Sequence, residues 1–413
     1  MRGGALRFGK SRFSRGLVAC TALFLAACGN DDPPTPGPGP GDGEEGPLYL
    51  VHSAVETNGS RMSYFTLVDS LDEPQTLDYV NSLELPGSPR LYAAQGAGFF
   101  AIGAGESPTI TRYEVRDGAL VPGASLSFLN LGVRSMGAQA VHFVSETKAY
   151  YKDPGQGIVI VWNPAEMVIE KTLELPEEVI QQGYVTGMSQ WASREGEAFF
   201  AVGWSTPTYD AVQPGTMLVR IDTETDALTW DADERCRDLS KTARQGDTLY
   251  FFSGVINGLG YAVNGAGEAG QQDCFLRISP GQQTFDADFV GSVSSALGDG
   301  MVGSVMAVTE DGTAWLQVAD TAITPTAPGT TYGEWYSKGW SWWQVDFDTL
   351  TGATRVAGEP GAYSGFTLAS GSSFFVSQAS ADYKLSTLMD LSPGEPAPGV
   401  AFPGFVLDVA RIR

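Results

Sequence analysis

Short runs of alternating apolar and polar residues, each closed by a turn, fill the chain from about residue 48 to its end. Alternation with a period of two over such lengths reads as β-strand, one side of each run facing a core. The runs recur. An aromatic or apolar pair opens a strand-like segment at Leu48-Tyr49, Phe99-Phe100, Tyr150-Tyr151, Phe199-Phe200, Tyr250-Phe251, Trp315-Leu316 and Phe374-Phe375. Counted from Tyr49, Phe99, Tyr150, Phe199, Tyr250, Trp315 and Phe374, the steps are 50, 51, 49, 51, 65 and 59 residues. Before six of these pairs lies another alternating segment, from RLYAAQG at 90 to GFTLASGS at 365, and after them come third strands such as GIVIVW and MLVRIDTET. Fourth strands follow in EKTLELP, ALTWDAD and TFDADFV. Each unit is therefore expected to be a four-stranded antiparallel meander, and there are seven.

The first unit begins at its second strand, near Leu48, and the last stretch, GFVLDVARIR from Gly404 to Arg413, supplies an inner strand alone. An open array would leave two unpaired sheet edges, whereas joining the two termini completes one unit and closes the ring. The pattern predicts an all-β fold, a seven-bladed β-propeller closed by the C-terminal strand joining the N-terminal blade. Blade cores fall near 88–129, 137–176, 185–233, 238–290, 303–358 and 364–403, with the composite blade as the seventh. Two β-sandwich domains are the alternative. In the propeller, Cys236 lies between a fourth strand and the next inner strand and Cys274 at the end of a second-to-third-strand loop. Both loop types emerge on one face, so a bridge between Cys236 and Cys274 is expected.

The N-terminus departs from this pattern. Arg2, Arg7, Lys10, Arg12 and Arg15 precede an apolar run from Gly16 to Ala27 that is too short to span a bilayer, and the run ends in Leu25-Ala26-Ala27-Cys28. This resembles the lipobox of bacterial lipoproteins, which implies cleavage before Cys28, diacylglycerol on its thiol and, with Gly29 following, an outer-membrane address. Residues 28–46, rich in Pro, Gly and acid, read as an extended tether, leaving 47–413 for the propeller.

The chain carries 48 Asp and Glu against 25 Lys and Arg, a net charge of −23, which becomes −28 once residues 1–27 and their five cations are removed. Nucleic acid, which needs clustered cations, is excluded as a partner. His52 and His142 are the only histidines, so a histidine-rich metal centre cannot be built; both read as strand residues with satisfied nitrogens. No cofactor and no metal is expected. The acidic stretches DTETD at 222 and DFDTLTG at 346 coincide with third-to-fourth-strand turns, where Asp, Thr and Gly are favoured by turn chemistry.

The two longer steps place extra residues in second-to-third-strand loops, at 254–273 and 320–339, with a shorter relative at 204–215. They should form a wall beside the central opening. Trp204, Tyr209, Tyr261, Tyr332, Trp335 and Tyr336 lie in these loops and suit stacking on a flat ligand or a protein contact, or else packing of the loops onto the ring. Trp340, Trp342 and Trp343 follow directly, in a strand. Arg134, Lys241, Arg244 and Lys338 lie in or near segments forming that face and could hold an anion. The sequence has no G-x-S-x-G, H-E-x-x-H, phosphate-binding loop or C-x-x-C.

A lipobox, an acidic tether and seven propeller units together resemble propeller lipoproteins associated with siderophore uptake in Gram-negative bacteria, the MxcI-like proteins among them. The resemblance implies a noncatalytic, monomeric envelope protein that binds a ferric siderophore and passes it to an outer-membrane transporter. A cell-envelope scaffold and a propeller hydrolase or lactonase are the other classes in play.

Overall fold

A computed structural model describes residues 46–94, 99–265, 271–298, 301–358, 361–364, 366–380 and 384–413. Residues 1–45, including Cys28 and nearly all of the tether, lie outside the described residues. The first blade contributes β1 (Tyr49–Thr57), β2 (Ser60–Val68) and β3 (Leu83–Pro86), and the second β4 (Arg90–Ala94), β5 (Phe99–Gly103), β6 (Thr109–Arg116) and β7 (Ala119–Ser127). The third holds β8 (Val141–Ser145), β9 (Lys148–Asp153), β10 (Ile158–Asn163) and β11 (Val168–Glu174). In the fourth, β12 (Val185–Met188) and β13 (Ala192–Arg194) share the inner position, ahead of β14 (Glu197–Ser205), β15 (Thr216–Asp222) and β16 (Leu228–Asp233). The fifth has β17 (Leu239–Gln245), β18 (Thr248–Ser253) and β19 (Phe275–Ile278). The sixth has β20 (Met301–Val308), β21 (Thr313–Asp320), β22 (Trp340–Asp346) and β23 (Thr351–Arg355), and the seventh β24 (Thr367–Ser370), β25 (Ser373–Ala379), β26 (Leu385–Asp390) and β27 (Ala397–Pro403).

The last strand, β28 (Phe405–Arg411), pairs with β1, Tyr49 opposite Arg411 and Ala54 opposite Phe405, so both ends of the chain build the first blade. Leu48 N–H donates to the Arg413 carbonyl at 3.1 Å and extends the seam. The result is a seven-bladed β-propeller of antiparallel sheets, as the repeat predicts.

Successive strand residues point to opposite faces, which accounts for the repeating aromatic pairs. The second strand of a blade is covered on both sides, so each member of a pair fills a different interface. Tyr151 packs between the second and third blades and Tyr150 between the third and fourth. Phe200 shares that latter interface, and Phe199 belongs to the one between the fourth and fifth. One apolar cluster occupies every interface, including that between the seventh blade and the first, where Phe366, Phe375 and Phe402 meet Tyr49, Val51 and Val409.

Three local expectations differ. The segment TFDADFV forms no fourth ladder in the fifth blade: the Asp286 carboxylate accepts from Arg277, Ser279 and its own near neighbour Asp288 N–H, and this bends the chain out of an extended course. The loops at 254–273 and 320–339 each contain a helix, α1 (Val255–Asn264) and α2 (Tyr332–Ser337). Asp238, between the fourth and fifth blades, receives the Asn257 N–H of α1 on its side chain at 3.0 Å, supplying a cap that the helix's own Gly254 lacks. α2 starts with a capping box between Thr331 and Glu334. The Asp-rich turns behave as turns: Asp222 accepts from the Thr225 N–H at 2.9 Å and Asp346 from the Thr349 N–H at 2.9 Å.

Candidate functional site

The second-to-third-strand loops and the interblade connections share one face, and Cys236 and Cys274 are joined there, their Cα atoms 5.7 Å apart. The bridge anchors the segment carrying α1. Asn257, buried in α1, holds the same segment by exchanging hydrogen bonds with the Gln271 backbone at 2.8 and 3.0 Å. Gly258 lets α1 sit close to the sixth blade, because a Cβ there would meet Val302 at 2.8 Å.

Tyr209, Tyr261, Tyr332, Trp335 and Tyr336 come together around the two helices. The Tyr209 and Tyr332 rings lie 5.6 Å apart, Tyr332 and Tyr336 4.3 Å apart with their hydroxyls hydrogen-bonded, and Tyr336 meets Tyr363 edge-on at 4.5 Å. Tyr261 packs onto this cluster. Trp335 is completely buried against Trp340. These rings pack against one another and fix the helices to the ring, Trp335 fully buried and Tyr209, Tyr261, Tyr332 and Tyr336 half-buried. Burial raises the hydroxyl pKa of Tyr332, Tyr336 and Tyr363, and the nearby Asp238 carboxylate raises each further.

Two expected members leave the site. Trp204 is buried in the interface between the third and fourth blades, its indole N–H donating to Val179 O at 2.8 Å, because it falls on β14 and not in the loop beyond it. Arg244 sits beside the β17–β18 hairpin, on the opposite face, where it binds Asp247 at 2.9 Å and the Gly246 carbonyl. Arg134 and Lys338 are exposed on the long-loop face, clear of the aromatic cluster's core.

Beside this wall the inner strands enclose a channel of about 610 Å³. His52, Arg90, His142, Lys241 and Asp408 line it, so both histidines of the chain and charged residues from three blades converge. Ring closure makes this possible, since Asp408 of β28 stands opposite His52 of β1 and next to β4, which carries Arg90. The break between β12 and β13 turns Gln190 and Trp191 toward the channel. Trp191 is held by its N–H to Ala140 O at 3.0 Å, stacks on His142 at 5.4 Å and lies against the buried Lys152 ammonium at 4.6 Å.

The channel's electrostatics are set by desolvation. Removal from water pushes the Asp408 carboxyl up to about 7, opposed by the Val409 N–H and by the charges of Arg90 and Lys241. The same effect pulls the Lys241 ammonium down, with Asp408 opposing. His52 is lowered to about 3 by burial and then by Arg90 and Arg61, and His142 to about 4 by burial and Lys152, so both are neutral imidazoles at ordinary pH.

Two nitrogens of residues that line the channel are buried with no hydrogen-bond partner in the protein: His52 Nε2 and Arg90 Nε. His52 stacks on Phe65 at 4.4 Å, which leaves that nitrogen without an acceptor or donor, contrary to the expectation of a satisfied strand histidine. Trp162, Trp315 and Trp335 also bury unpartnered indole N–H groups, but in packed clusters away from the channel. An unmade hydrogen bond at a buried polar atom costs about 1–3 kcal/mol, a cost that His52 Nε2 and Arg90 Nε carry in the folded chain. Among the described residues, no three His, Cys, Asp or Glu side chains are grouped to hold a metal ion.

No protein-family model matches the chain, and no curated protein does. Solved structures share the ring. A candidate 6-phosphogluconolactonase from Bacteroides fragilis is 11% identical with a TM-score of 0.50, over 89% of this chain and 98% of that one. A similar protein from Bacteroides uniformis gives 10% and 0.49, over 89% and 100%. AztD from Citrobacter koseri gives 11% and 0.42, over 87% and 99%. At these identities the likeness concerns the fold alone.

Proposed function

We propose that the protein is an envelope-anchored binding propeller that captures a small anionic ligand in its central channel. The observation that carries this reading is the convergence of Arg90 and Lys241 on one cavity of a chain whose net charge is −23. A molecule this acidic repels anions at long range, so cations gathered in a partly desolvated channel form a local exception to the overall field. The anion's oxygens meet the two cationic side chains, and charge-assisted hydrogen bonds to a guanidinium are about twice as strong as neutral ones.

The finer identity follows the sequence resemblance. A ferric siderophore is anionic and arrives with its iron already chelated, which suits a site with neutral histidines and no grouped metal ligands. Lipid on Cys28 would hold the propeller at the outer membrane, and a transporter there would receive the cargo. Trp191 lines the channel and reports on binding. Titration with citrate at low salt should quench its fluorescence saturably, and a ferric tricatecholate should bind more tightly than its iron-free form. Absence of saturable binding by any of the three overturns the channel reading; equal affinity with and without iron overturns the siderophore assignment alone. Palmitate labelling that persists in Cys28→Ser overturns the anchor.

Hydrolysis is a second reading, favoured by Asp408, whose raised carboxyl beside Arg90 could take a proton from water attacking a lactone. Lactone turnover by the protein, lost in Asp408→Asn with anion binding retained, would support it.

A further inference from the structure

A second cavity, about 770 Å³, opens between the sixth and seventh blades. Its lining contrasts with that of the channel: among the described residues, no Asp, Glu, Lys, Arg or His contributes to it. Trp340, Trp342, Tyr363 and Met389 give it aromatic and apolar walls, and Gln317 and Gln378 add uncharged polarity. The Gln317 side-chain oxygen is already occupied by Ser364 N–H at 3.0 Å, and the Tyr363 hydroxyl by the Met306 sulfur at 3.3 Å. Phe366 and Leu407 line both cavities, so the channel and the cleft adjoin at these two side chains.

We infer that channel and cleft together form one elongated site for an anionic amphiphile, its acid group held at Arg90 and Lys241 and its uncharged, partly apolar body lying past Phe366 and Leu407 in the cleft. This rests on the anionic-ligand reading of the channel and adds to it the nature of the rest of the ligand. Polarity fixes the orientation. An acid group in the cleft would be desolvated without a counter-charge, and an apolar body in the channel would leave Arg90 and His52 without partners. With the body in the cleft, apolar surface leaves water at about 25 cal/mol per Å² while the head meets its cations. A short anion would use half of the site.

The test is calorimetric titration of the full chain with straight-chain carboxylates from acetate through hexanoate to decanoate. Affinity should rise about two- to fourfold per added methylene as the tail enters the cleft. Ser377→Phe, which fills the cleft from β25 at a side chain with no hydrogen bond to lose, should abolish that rise and leave acetate affinity unchanged; Ala379→Phe serves if the first variant fails to fold. Arg90→Gln with Lys241→Gln should weaken every member of the series. Carboxylates that bind with no dependence on length overturn the composite site and leave the channel reading intact. A length dependence untouched by both fillings, or insensitive to the loss of the two cations, also overturns it. If no carboxylate binds, the channel reading itself falls.

Discussion

The aromatic wall and the central channel use their side chains in opposite ways. In the wall, rings conspicuous in sequence meet one another: Tyr332 with Tyr336, Tyr336 with Tyr363, Trp335 with Trp340. In the channel, charged side chains from three blades, Arg90, Lys241 and Asp408, converge on open space. A large aromatic gains most from burial, so in loops over a hydrophobic ring it tends to become packing. A charged group on an inner strand is kept despite its desolvation cost, which marks it as the better candidate for binding.

The sharpest way to break this contrast is Trp335→Ala. Trp335, the buried residue of α2, is fully covered, so truncation should cost about 4 kcal/mol of stability. It should leave citrate affinity per folded molecule unchanged, as measured by chemical denaturation and titration in parallel. A protein that keeps its denaturation midpoint but loses the ligand would return the binding role to the wall.

Next in size, Cys236→Ser with Cys274→Ser opens a bridge spanning 38 residues and should cost about 3 kcal/mol. Exchange of hydrogen for deuterium should rise mainly in α1 and in residues 271–273, with the channel strands little changed. Uniform loss of protection around the ring would show that the bridge supports the propeller as a whole.

Third, Arg90→Gln with Lys241→Gln should weaken citrate binding about 100-fold, close to the contribution of two charge-assisted contacts. Arg134→Gln with Lys338→Gln, on the same face but exposed, should change it less than twofold at physiological salt. Equal losses in the two pairs would mean that the face as a whole, and not the channel, attracts the ligand.

The ring was legible because it obeys a local rule. Each second strand is covered on both faces, so a pair such as Phe199-Phe200 recurs wherever a blade occurs, and the incomplete units at Leu48 and Gly404 dictate the closure seen between β1 and β28. The cysteine bridge followed from the same register. α2 was also within reach, since Thr331 and Glu334 have capping-box spacing, whereas α1 was not, because its cap comes from Asp238, 17 residues before Val255 and in another connection. The channel was hidden for a stronger reason. His52, Arg90, Lys241 and Asp408 come from distant parts of the chain; Lys241 stands among the expected anion-holding cations, but only closure of the ring brings it together with the other three. Arg244, three residues from Lys241, shows how little separates the two outcomes: one ends beside a hairpin on the far face, the other in the channel.

The smallest effect distinguishes the channel by its titration. The Asp408 carboxyl, raised from 3.8 to about 7, faces His52 from β1, Arg90 from β4 and Lys241 from β17. The folded protein holds this proton more tightly than the unfolded chain, so the associated stability is fully present below about pH 4 and is lost as pH rises through 7. Asp238, also raised to about 7, adds to the same slope from outside the channel lining. Ligand binding separates the two. As pH falls from 8 to 6, Asp408 loses its negative charge while His52 and His142 stay neutral, so the channel becomes more positive and citrate should bind several-fold more tightly. Asp408→Asn should hold the tighter affinity at both pH values, and Asp238→Asn should leave the pH dependence in place while flattening the stability slope. A pH dependence of binding that survives in Asp408→Asn would show that this carboxylate does not face the anion, and with it the case for a ligand between β4, β17 and β28 would weaken.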